Sequence, residues 1–76
     1  MELDTNKIDD AVLALLFLGL HEGDRVWKGF DWESLNRLNE QGYISDPRGK
    51  TKSVVLTVER LARSRQLLEQ LFSRQA

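Results

Sequence analysis

No cysteine occurs among the 76 residues, which removes a disulfide framework and a thiolate metal site as sources of stability. Proline and histidine each appear once, and the five glycines are scattered, so no phosphate-cradling loop is spelled. No apolar run approaches the ~20 residues that a membrane-spanning helix needs. The stretch "AVLALLFLGL", Ala11 to Leu20, has ten. It follows the acidic segment Asp4 to Asp10, where a secretory signal would carry positive charge, and no small-residue cleavage site comes after it. These absences predict a soluble, cytoplasmic protein without a membrane partner, and nothing calls for a cofactor.

A chain of this length supplies one domain, residues 1–76, and at that size apolar burial only narrowly outweighs conformational entropy. With disulfide and metal excluded, a second subunit is the expected stabiliser. The net charge of -1 conceals an asymmetry: residues 1–47 hold four Lys/Arg against ten Asp/Glu, and residues 48–76 hold seven against two. Such segregation fits a nucleic-acid face, a head-to-tail subunit contact or simply two solvated faces.

Ile8, Ala11, Val12, Leu15, Leu16, Gly19 and Leu20 recur at spacings of three and four, which predicts a helix over about residues 6–20, capped by Asn6 with Asp9 in the first turn. Leu13, Phe17 and Leu18 widen the apolar face, as in a helix that is central or shared. "HEGDRVWKGF", His21 to Phe30, reads as a loop. Asp31 caps a second helix with the apolar stripe Trp32, Leu35 and Leu38, and Gly42 ends it in the left-handed conformation. Tyr43 to Ser45 and Lys52 to Leu56 alternate as a two-stranded hairpin around Asp46-Pro47-Arg48-Gly49, a type I turn sequence. Thr57 caps the last helix, where Val58, Leu61, Ala62, Leu67, Leu68, Leu71 and Phe72 exceed what one small core can cover. The surplus at Leu67, Leu71 and Phe72 predicts a homodimer interface.

Several residue groups carry possible chemistry. Arg48, Lys50 and Lys52 sit at or near the hairpin tip, where they either neutralise phosphates or blunt a sheet edge. Trp27, Phe30 and Trp32 either form an exposed patch for a protein partner or lid the core; Trp27 and Trp32 are the interface candidates. His21, Glu22 and Asp24 are metal-ligand types at a spacing that fits no zinc pattern, so a solvated His at a helix end is the better reading. Ser34, Ser45, Ser53, Ser64 and Ser73 lie in no nucleophile elbow, and no second histidine serves as base. An enzyme is not expected.

"LNEQGYI" and "VVLTVER" together resemble the end of the recognition helix, the wing and the start of the last helix in bacterial winged-helix regulators of the MarR and PadR type. Gly42-Tyr43-Ile44 and Leu56-Thr57-Val58-Glu59 carry the match, and Arg60 replaces the usual glycine. The resemblance implies double-stranded DNA as a partner, with Arg48, Lys50 and Lys52 on the wing and Asn36 and Arg37 reading bases. Two departures oppose it. Only ten residues separate Leu20 from Asp31, too few for a bracing helix, and Asp31, Glu33 and Glu40 make the second helix acidic. The whole chain also resembles a family of short bacterial proteins of uncharacterised function, most distinctively at "DTNKIDDAVLALL" and "WKGFDWESL". The expectation is an α+β, winged-helix-like domain of order α-α-β-β-α, acting as a protein-interaction or oligomerisation module, with DNA binding through the wing as the alternative.

Overall fold

The computed structural model describes residues 1–21, 23, 25–49 and 52–74. Three helices and a small antiparallel sheet make an α+β fold: α1 (Thr5–Leu16), a 3₁₀ turn (Phe17–Gly19), β1 (Leu20–His21), β2 (Arg25–Trp27), α2 (Trp32–Glu40), β3 (Ser53–Val55) and α3 (Val58–Phe72). The sheet order is β1-β2-β3, with Leu20 opposite Val26 and Val26 opposite Val54. The expected order α-α-β-β-α is corrected in two respects. The segment read as the loop "HEGDRVWKGF" holds, with Leu20 before it, the β1-β2 hairpin, Gly23 standing at φ 85° between its strands, and only one strand, β3, lies between α2 and α3 among the described residues. The expected pairing of residues 43–45 with 52–56 shrinks to a bridge between Ile44 and Leu56 and to the Ser45–Val55 contacts. β2 takes the long edge of β3 instead, because Val26 and Val54 both face the core.

The first helix starts earlier and stops earlier than its apolar pattern suggests. Asp4, not Asn6, is its cap, accepting from the Lys7 N–H. Its last apolar residues tighten into the 3₁₀ turn, which lets the chain swing into β1. Asp31 and Thr57 cap α2 and α3 as expected, accepting from the N–H groups of Ser34 and Arg60. Gly42 adopts φ 79°, and the Tyr43 N–H closes back on the Leu38 carbonyl at 2.9 Å.

α1 packs against both other helices, and the core collects Val12, Leu13, Leu16, Val26, Leu35, Leu38, Ile44, Val54, Leu56 and Leu67. Two polar groups lock it. The Ser64 hydroxyl donates to the Leu13 carbonyl at 2.6 Å, fixing α3 on α1 inside the apolar interior. Asp9, 4% exposed, accepts from Arg37 Nε at 2.7 Å and Nη2 at 2.8 Å, fixing α2 on α1. A buried carboxylate needs such a bidentate partner to offset its lost hydration. The Asp9 hydrogen bond, ahead of opposing desolvation, holds Arg37 above the ordinary guanidinium value.

Candidate functional site

Arg48, exposed at the hairpin tip, is paired within its own turn. Asp46 accepts from the Arg48 N–H at 2.9 Å and from Arg48 Nη2 at 2.9 Å, so the turn carries its own ion pair. The Arg48 side-chain hydrogen bond, then its backbone N–H, lowers the Asp46 carboxyl from 3.8 to about 2. Lys28, at the end of β2, clamps the same turn through Nζ, donating to the carbonyls of Pro47 at 2.5 Å and Gly49 at 2.7 Å. The Lys28 N–H also bonds the Lys52 carbonyl. Lys52 is exposed, and Lys50 lies outside the described residues. Asn36 and Arg48 come together on one shallow polar depression with Asn39 and Glu40. Arg37 turns away from them toward Asp9.

The aromatic residues divide. Phe30 packs on the core, whereas Trp27 is 54% and Trp32 49% exposed. Trp27 stacks on His21 with ring centroids 3.9 Å apart and planes 10° from parallel. Gly19 lies beneath it: a Cβ there would come within 3.3 Å of Trp27 Cδ1, tight enough to push the ring. Leu15, Leu18, Trp27 and Phe30 line an open apolar hollow. His21 therefore supports an aromatic face and is not simply solvated; its Nδ1 is buried without a hydrogen-bond partner among the described residues. Glu22 and Asp24 lie outside those residues, and no cluster of three metal-ligating side chains occurs among them.

α3 separates its apolar residues onto two lines. Leu67, expected at an interface, is 3% exposed and belongs to the chain's own core. Leu71 and Phe72 remain half-exposed at the helix end. Val58 and Ala62, expected in the core stripe, are exposed as well. With Phe17, Leu20, Leu61 and Arg65 they border an open groove of ≈ 550 Å³ between the 3₁₀ turn and α3. The buried position missed by counting apolar residues is Ser64, although its spacing of three from both Leu61 and Leu67 places it on the inward line. No helix among the described residues is long and apolar enough to cross a membrane.

Residues 4–74 match a family described as "Domain of unknown function (DUF6429)". The chain is 58% identical over 74 residues to "Uncharacterized protein y4hR" of Sinorhizobium fredii (strain NBRC 101917 / NGR234), covering 97% of this chain and 100% of that protein. No solved structure matches.

Proposed function

The chain belongs to the family of Domain of unknown function (DUF6429), and from that premise we propose that it is a small non-enzymatic interaction module that pairs with a second copy of itself and presents an aromatic face to a protein partner. The observation that carries this reading is the set of large apolar side chains left half or more exposed: Leu18 at 70%, Val58 at 83%, and Trp27, Leu71 and Phe72 near 50%. Scattered single residues of this kind are ordinary, whereas contiguous ones mark contact surfaces. Here Leu18 and Trp27 border one hollow, and Val58, Leu71 and Phe72 stand at the two ends of α3. The hollow beside Trp27 is lined by uncharged residues, among them Leu15, Leu18 and Phe30, and charge depletion with aromatic enrichment is the composition of an interface centre.

A DNA-binding role ranks second. Its support is the pairing of Asn36 with Arg48 on one depression and the cationic excess after residue 47. It has less support than the first because Arg37 is engaged by the buried Asp9 and Arg48 has a carboxylate, Asp46, beside it. The winged-helix reading of the frame belongs with it: α2, the Ile44–Leu56 bridge and α3 follow one another as in that fold, but the β1-β2 hairpin stands where a bracing helix would be.

Light scattering at tens of micromolar tests self-association, with a mass twice that of the chain expected; a single-chain mass at concentrations where an obligate dimer persists contradicts it. Anisotropy of a labelled mixed-sequence duplex at low salt tests the rival. Binding that is lost in the variant Arg48→Ala, Lys50→Ala, Lys52→Ala would promote the DNA reading over the first.

A further inference from the structure

Val58, Ala62, Arg65, Glu69 and Phe72 succeed one another at spacings of four, three, four and three, so at 3.6 residues per turn they share one line along α3. Every one of them is exposed. The line is apolar toward both ends and carries one cation and one anion in the middle. Its order is also symmetric about position 67: Arg65 and Glu69 lie two residues to either side, and Ala62 and Phe72 lie five. A line with that symmetry is complementary to its own reverse.

We propose that a second copy of this chain docks on this line through an antiparallel, two-fold symmetric seam, in which Arg65 of each copy meets Glu69 of the other and Phe72 of each packs over the other's Ala62. This deepens the self-association reading above and rests on it. A two-fold interface must present one patch to itself, so a residue at one end has to suit its counterpart at the other. The largest side chain of the line then lies opposite the smallest, as a knob opposite a hole. The groove bordered by Phe17, Leu20, Leu61 and Ala62 supplies walls for that ring.

Charge chooses the direction. Within one chain Arg65 Nε and Glu69 Oε1 lie 3.4 Å apart, with both side chains about two-thirds exposed, so the pair is solvated and available for exchange. In the antiparallel arrangement each cation keeps its own anion nearby and gains the second copy's. A parallel arrangement would set Arg65 against Arg65 and Glu69 against Glu69, and like charges across an interface are strongly penalised.

The experiment is sedimentation equilibrium of the full chain and of Arg65→Glu, Glu69→Arg, the double reversal, and an equimolar mixture of the two single variants. Circular dichroism confirms that each is folded, which exposed positions favour. Each single reversal places like charges at both symmetric contacts and is expected to weaken dimerisation at least about tenfold. The double reversal is expected to restore it, and the mixture of singles to form a heterodimer, because all contacts there are again opposite in sign. If the unmodified chain dimerises but neither single reversal weakens it, the α3 seam is overturned while self-association stands. If the unmodified chain is a monomer at tens of micromolar, both fall together. If the singles dissociate and their mixture stays monomeric, the charge exchange is overturned.

Discussion

Along α3, the inner line of Leu61, Ser64, Leu67 and Leu68 is buried or half-buried on the side that faces α1 and the 3₁₀ turn, whereas the outer line of Val58, Ala62, Arg65, Glu69 and Phe72 faces solvent. The inner line contains a serine and is nevertheless sealed, because Ser64 finds a carbonyl acceptor in α1. The outer line contains Val58 and Phe72 and is nevertheless open. Polarity alone therefore does not sort the two. What sorts them is whether another element packs over the line: α1 covers the inner one, and the outer one, where Arg65 and Glu69 pair with each other, is left without cover among the described residues. The turn at residues 46–49 makes the same point in reverse: rich in charge, it meets its needs internally through Asp46, Arg48 and Lys28.

Substitutions can sharpen that contrast. The largest expected effect is on the inner side: Leu67→Ala, at a position 3% exposed, should lower the unfolding free energy by about 2–5 kcal/mol, measured by urea denaturation. Phe72→Ala on the outer side should leave single-chain stability nearly unchanged while reducing self-association, so a large stability loss there would break the distinction. Ser64→Ala leaves the Leu13 carbonyl unsatisfied and should cost about 1–3 kcal/mol; no measurable loss would mean that the helix pair is held by apolar packing alone. Gly42→Ala must adopt φ 79° and should cost about 1 kcal/mol.

The smallest expected effect belongs to the turn and depends on pH. Asp46 is lowered on folding from 3.8 to about 2, so the carboxylate's contribution is fully present above its ordinary value. It is lost as pH falls from about 4 toward 2. In Asp46→Asn that part of the acid sensitivity should disappear; an unchanged stability profile across this window would show that the Arg48 pair is screened to no consequence, as exposed pairs often are.

Much of the fold was legible because local chemistry marks its boundaries. Asp31, Thr57 and Gly42 end or begin helices by satisfying backbone groups that have no other partner, and Asp46 sets the turn by bonding the Arg48 N–H. The β1-β2 hairpin was not legible, since strands of two and three residues leave too little alternation to stand out beside two glycines and several charges. The Asp9–Arg37 lock joins residues 28 apart, and nothing local distinguishes a capping carboxylate from one that turns inward. At the surface, spacing identified α3 as overloaded with apolar residues but could not rotate it. Leu67 therefore moved from the expected interface into the core, and Val58 and Ala62 moved out. For Trp27 and Trp32, composition allowed a lid or a patch, and their half-exposure depends on Gly19, His21 and the position of α2, all tertiary features.

The proposed seam on α3 is an antiparallel exchange of charge between Arg65 and Glu69 of two copies. It is tested most directly by mixing Arg65→Glu with Glu69→Arg, each alone a monomer, and measuring mass by sedimentation equilibrium. Recovery of a dimer in the mixture is the result predicted; two variants that remain monomeric together, beside an unmodified chain that pairs, would contradict it.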